Sequence, residues 1–170
     1  MVLDRTVYIE GPFDDNMAYS VIQQIEFFDS ISSEDIYLPV HSYGGSVPAL
    51  LAMYHAAKKA KSDIVTVAVG TVMSAGAFCV IGLGTPGKRL SLPNTQFMLH
   101  EARGMAERSE TGLRPMRHYN KILFDMMSEM WGRPAEEILK ELERDVYKWP
   151  EEALALKWID AIVQEPQLDL

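Results

Sequence analysis

The strongest constraint on this chain is the join between an apolar, β-branched run and a helix-compatible run around residue 74. Ile64-Val65-Thr66-Val67-Ala68-Val69 leads to Gly70, then come Thr71-Val72-Met73-Ser74, and Ala75-Gly76-Ala77 open a second apolar run. This pattern predicts a buried strand that stops at Gly70, a sharp turn, and a helix beginning at or next to Ser74. A serine there lies near unsatisfied backbone N–H groups and the positive end of the helix dipole. Two readings follow. Ser74 is an ordinary helix N-cap, or it is a nucleophile on a tight turn whose small neighbours let another chain come close.

With 170 residues, 48% of them hydrophobic, the chain is long enough for one globular domain spanning 1–170. A formal charge of −8 argues against nucleic acid and anionic membrane as main partners. No window has the length of a membrane span, and Met1-Val2-Leu3-Asp4-Arg5 does not read as a signal peptide, so a cytoplasmic setting is expected. Cys79 is the single cysteine, which excludes an intrachain disulfide and a cysteine metal cage. His41, His55, His100 and His118 show no metal-ligand spacing, so neither metal nor cofactor is expected.

Along the chain, residues 6–9 read as a short strand closed by Gly11-Pro12. Asp14 or Asp15 caps a helix with Met17, Val21, Ile25 and Phe28 on its apolar face. Residues 36–40 form a second strand in which Pro39 points to an edge or a bulge. A helix through Lys59, the strand before Ser74 and the helix after it complete a β-α-β-α-β-α order. That order predicts a largely parallel sheet with right-handed crossovers. Two strand-like pieces follow at 89–92 and 97–100, then a polar, glycine-punctuated stretch at 101–112 that reads as a loop or projection. A long helix with Pro115 in its first turn carries Ile122, Met126, Met127 and Met130 and ends near Trp131-Gly132. Helices at 135–143 and 151–158 and a strand at 159–163 close the chain.

Gly44-Gly45 marks a second strand-to-helix junction, where consecutive glycines permit unusual backbone geometry and leave an N–H exposed. In one parallel sheet the N–H groups of Gly45 and Ala75 could converge, which is what an oxyanion hole needs. Two ordinary tight turns are the alternative. A base is then required. His100 ends the apolar run Phe97-Met98-Leu99, at the carboxyl edge where α/β sites form. His41 is its rival beside the glycines, whereas His55 and His118 have charged neighbours and read as solvated.

At this point the chain resembles the proteolytic subunit of Clp protease (the ClpP family), within the wider crotonase-like fold. The resemblance rests on Ser42-Tyr43-Gly44-Gly45-Ser46-Val47, Ser74-Ala75-Gly76-Ala77-Phe78, Gly87-Lys88-Arg89, Leu92-Pro93-Asn94, Met98-Leu99-His100, Glu143-Arg144-Asp145, and Glu151-Glu152-Ala153 with Trp158-Ile159-Asp160. It implies an α/β fold of repeated βαβ units with a protruding helix-strand handle at 101–131. It implies a serine endopeptidase in which Ser74 is the nucleophile, His100 the base and Asp145 the orienting acid, with Gly45 and Ala75 as oxyanion donors. Residue reading alone leaves Asp125 and Asp160 equally open for the acid. The resemblance further implies that peptide substrate lies extended beside Gly44, Gly45, Ser46, Glu101, Ala102 and Arg103, adding a strand to the sheet edge. The assembly it implies is a homo-oligomer of two stacked heptameric rings, a tetradecamer, served by an ATP-driven AAA+ unfoldase.

Four departures from the family pattern set further expectations. The chain begins a few residues before the first matching strand, so the axial loop that meets the unfoldase is expected to be missing. One extra residue around 82–86 should be absorbed in a loop, because a slip in the strand would turn His100 to the wrong face. Glu101-Ala102-Arg103-Gly104 replaces a glycine-rich start to the handle, and the segment between Asp145 and Glu151 is short. Three other readings stand beside the peptidase: a catalytically silent ring subunit, a crotonase-like acyl-CoA enzyme, and a serine–lysine peptidase with Lys88 as base.

Overall fold

The computed structural model describes residues 4–103 and 110–164, and of residues 110–112 the backbone alone. In chain order the elements are β1 (Ile9–Glu10), α1 (Asp15–Ile31), β2 (Ile36–Ser42), α2 (Val47–Lys59), β3 (Ile64–Met73), α3 (Ala75–Leu83), β4 (Arg89–Ser91), β5 (Gln96–Leu99), α4 (Glu110–Trp131), α5 (Ala135–Leu142), β6 (Val146–Lys148), α6 (Pro150–Ala155) and β7 (Ala161–Ile162). They fall into two compact units, one made of Met1–Met98 and Tyr147–Leu170, the other of Leu99–Val146.

The first unit is built on a sheet of order β1-β2-β3-β4-β7 whose neighbours run parallel, as the alternation of strands and helices predicts. The β2–β3 register runs regularly from Ile36↔Ile64 to Val40↔Ala68, then jumps to Ser42↔Val72. Two steps along β2 therefore take four along β3. The strand does not stop at Gly70, as its composition suggests. It bulges there, with Gly70 at φ +62°, and continues to Met73. His41 serves this bulge, since the Thr71 N–H donates to its Nδ1 at 3.2 Å. Across the bulge β3 changes neighbour, pairing with β4 over Thr66–Ala68 and with β5 over Thr71–Met73.

Pro39 sits inside β2, between β1 and β3, and so does not mark an edge. The Val7 N–H donates to the Tyr37 carbonyl and the Tyr37 N–H to the Arg5 carbonyl. Alternation along a strand puts the missing N–H of Pro39 on that same side, just before β1 begins at Ile9. Asp14, not Asp15, caps α1 by accepting from the Met17 N–H at 2.8 Å, and Ala18 replaces Met17 on the buried face with Val21, Ile25 and Phe28. Every residue of α3 is buried, which is what a helix apolar on all sides requires. Arg5 is a polar staple in this core. Its side chain donates to the carbonyls of Phe28, Ser32, Glu34 and Asp35 and to Ser62 Oγ, closing the turn between α1 and β2.

In the second unit α4 packs against α5. The buried face of α4 is Leu123, Phe124, Met127 and Trp131, with Ile138 and Leu142 buried on α5. Ile122, Met126 and Met130 are half-buried, so of the expected methionine stripe only Met127 is core. Pro115 lies one turn deeper than expected, because α4 already starts at Glu110. Residues 104–109 of the polar stretch lie outside the described residues. The short strand β6 was not evident in the sequence, and α6 ends at Ala155, earlier than its apolar pattern suggests. Among the described residues, no helix is long and apolar enough to cross a membrane.

Replacing Arg5 by Met leaves a cluster of buried carbonyls without donors. We expect a loss of about 2–4 kcal/mol in a denaturant titration, the range for disrupting a buried polar network.

Candidate active site

Ser74 occupies the single residue between β3 and α3 and has φ 51° and ψ −122°. For a side-chain-bearing residue this is strained backbone, of the kind that holds a nucleophile at the top of a strand-turn-helix elbow. Ser74 stands at the N-cap position of α3, but its side chain makes no capping hydrogen bond to the helix. Its N–H donates to the Met98 carbonyl at 2.8 Å, so the β3–β5 pairing reaches to the serine itself.

The Gly44-Gly45 turn lies against this elbow within the same unit. A Cβ on Gly44, at φ +97°, would come within 2.8 Å of Ser74 Cβ and 2.9 Å of the Ala75 nitrogen. Only glycine fits there. On its other side the turn is held by Phe13, whose N–H donates to the Gly44 carbonyl at 3.0 Å and whose carbonyl accepts from the Ser46 N–H at 2.8 Å. That bridge uses Gly44 and Ser46 and leaves the Gly45 N–H out of it. The Ala75 N–H, at the first position of α3, has no partner within the helix ladder. Ser46 caps α2 by accepting from the Ala49 N–H at 3.3 Å. The structure thus brings Gly44, Gly45, Ser74 and Ala75 together, two of them with backbone donors.

In the second unit His100 directly follows β5, and its Nδ1 stands 3.4 Å from Asp145 Oδ1. The sequence left three aspartates open for this place. Asp160 is committed elsewhere in the first unit, accepting from Arg89 Nη2 at 2.6 Å, from Arg89 Nε at 2.8 Å and from the Gly87 and Arg89 N–H groups. Asp125 pairs with Lys121 one turn away on α4. Lys88 is no base. Asp35 first, then Asp63, accept from its ammonium group and hold its pKa above the ordinary lysine value.

Burial of the imidazole pushes the His100 pKa below its ordinary value, and the Arg103 guanidinium pushes the same way, against Asp145 and Glu101. Both effects favour the neutral ring. Arg103 also contacts Asp145, with Nη1 3.1 Å from Asp145 Oδ1. The backbone of Ala102 is fixed from both sides by Asn120, through Ala102 N–H to Oδ1 at 2.6 Å and Nδ2 to the Ala102 carbonyl at 3.2 Å. Sequence reasoning missed the Asn120 clamp and the Arg103–Asp145 pair. Eighteen and 42 residues separate these partners, and no local pattern links them.

The mostly parallel sheet with its βαβ repeats and six helices is the ClpP-type α/β fold. A family model described as Clp protease matches residues 1–166. The ATP-dependent Clp protease proteolytic subunit 2 of Prochlorococcus marinus (strain NATL2A) is 37% identical over 169 residues, covering 96% of this chain and 84% of that protein. The ATP-dependent Clp protease proteolytic subunit 3 of Synechococcus sp. (strain CC9902) is 34% identical over 170 residues, with the same two coverages. The chain belongs to the Clp protease family, a family of peptidases.

Two outcomes check this geometry. Asp160→Asn should lower stability by about 2–4 kcal/mol, because it leaves the nearly buried Arg89 without its carboxylate. Asp145→Asn, at a half-exposed position, should leave the melting temperature almost unchanged. The depressed His100 pKa also has a sign. The folded chain binds the proton less readily than the unfolded one, so this group makes stability decline as pH falls through 6.5. A series of melts from pH 8 to pH 5, compared with His100→Gln, measures that contribution.

Proposed function

We propose that the chain is a serine endopeptidase subunit that cleaves unfolded polypeptides or short peptides, with Ser74, His100 and Asp145 as its triad. The observation that carries this reading is the strained, non-capping Ser74 at the β3–α3 elbow. Nothing in helix capping calls for that backbone, whereas an exposed nucleophile does. In the proposed cycle His100 Nε2 takes the Ser74 Oγ proton as the oxygen attacks the substrate carbonyl. The developing oxyanion accepts from the N–H groups of Gly45 and Ala75. His100 then protonates the departing amine, and a water activated by the same imidazole releases the acyl group from Ser74. Asp145, facing Nδ1, orients the ring and stabilises its charged form. Metal and cofactor have no part in this cycle.

Substrate is proposed to run extended past Gly44, Gly45 and Ser46 and past Glu101, Ala102 and Arg103, paired through main-chain hydrogen bonds that read no side chain. We also propose that the subunit works in stacked heptameric rings, with 101–131 as the handle between them. The half-buried Ile122, Met126 and Met130 along α4 support this, because each leaves part of its apolar surface uncovered beside the buried face. Related subunits carry "ATP-dependent" in their names, and an ATP-driven unfoldase is the corresponding partner proposed here.

A fluorophosphonate probe tests the reading. It should label the native chain and fail to label Ser74→Ala, and His100→Ala should lose at least about a thousandfold in peptide cleavage, the usual loss for a missing triad member, while keeping its oligomeric size. An oligomer of ring size that takes no label would instead identify a silent ring subunit. Elution as a monomer would remove the chamber.

A further inference from the structure

We propose that Arg103 is a positioning residue that shares the Asp145 carboxylate with His100 and holds the histidine–aspartate pair loosened. The inference rests on the triad reading above. One oxygen, Asp145 Oδ1, serves both groups, at 3.1 Å from Arg103 Nη1 and 3.4 Å from His100 Nδ1. A charge-assisted N–H···O bond ordinarily closes to about 2.7–2.9 Å, so the histidine has the poorer share.

Arg103 is placed there by construction. Its Nη2 donates to the Glu143 carbonyl at 3.0 Å, so the guanidinium grips the strand-entry segment at two points. The segment that carries it is tied down as well. The Glu101 N–H donates to the Leu142 carbonyl at 2.9 Å, and Asn120 clamps Ala102 through both its backbone groups. An arginine projecting from a segment so fixed reaches Asp145 without an adjustment of the chain.

The contact is also easy to undo. The Arg103 and Asp145 side chains are 48% and 41% exposed, against 19% for His100. An ion pair at that exposure is screened by salt and contributes little to stability. It is therefore suited to be exchanged in use, whereas the His100–Asp145 contact, more withdrawn from water, gains when the competitor leaves. Among the described residues, the charged groups that act on His100 are Glu101, Arg103 and Asp145. Removing the one cation among them leaves only carboxylates, which favour the protonated ring. Peptide drawn onto residues 101–103 would disturb Arg103 in the same direction, coupling occupancy to the readiness of the base.

The test uses the full chain in its native assembly. In Arg103→Gln, kcat for a short fluorogenic peptide should rise roughly fivefold, the difference between a strained and a well-formed bond to a charged group, with KM within about twofold. The acid limb of the kcat/KM profile should move to higher pH. Arg103→Lys keeps the charge, so its acid limb should stay close to that of the wild type. A second readout is independent of catalysis: the pH dependence of diethylpyrocarbonate modification at His100, followed by mass spectrometry in the Ser74→Ala background, should move to higher pH when Arg103→Gln is added. A kcat that fails to rise, or one that rises while the His100 modification profile stays still, overturns the proposal. Probe labelling that persists in Ser74→Ala overturns the triad reading instead, and the modification profile still decides whether Arg103 acts on His100.

Discussion

The bulge at Gly70 is the constraint on which the rest of the first unit depends. Without it β3 would keep one register with β2 along its whole length. With two additional residues, the strand trades β4 for β5 and delivers the Ser74 N–H to the Met98 carbonyl. The serine is then caught between a hydrogen-bonded strand end and a helix buried on every side. Its unfavourable dihedrals cost on the order of 1–3 kcal/mol, and the burial of nine residues of α3 offsets that. His41 participates at the origin of the effect, accepting the Thr71 N–H where the ladder opens.

Much of this was legible. The alternation of apolar runs and glycine-bearing junctions was enough for a parallel βαβ sheet, and the small residues after Ser74 were enough for an elbow. What misled was chemistry that can be read two ways. Gly70 looks like a terminator because glycine weakens strands, yet here it supplies the positive φ of a bulge. Pro39 reads as an edge or a bulge near the strand's end; the edge reading fails, and the register shift against β3 comes just after it, between Val40 and Ser42. The methionines of α4 look like one apolar stripe, but the true buried face is rotated onto Leu123, Phe124 and Trp131. Which aspartate faces His100 was beyond any local pattern, since three aspartates had equal standing. Only the partners separate them, with Arg89 holding Asp160, Lys121 holding Asp125 and His100 facing Asp145.

Each unit, taken by itself, carries a different kind of chemistry. The first supplies backbone: a strained serine, a glycine turn braced by Phe13, and N–H groups fixed by strand and helix ends. The second supplies side chains whose charges answer to one another, with burial and Arg103 both lowering the proton affinity of His100. Backbone donors need no reorganisation as charge develops, and titratable side chains can be tuned by a single neighbour.

A helix such as α3, with no wetted face, has a thermodynamic corollary. Local opening of a native protein begins where backbone hydrogen bonds meet solvent, and residues Ala75–Leu83 offer no such place. The elbow can therefore come apart only when the whole first unit melts. Loss of the elbow geometry on heating should be all-or-none, coincident with cooperative unfolding of the first unit and without a frayed species ahead of it.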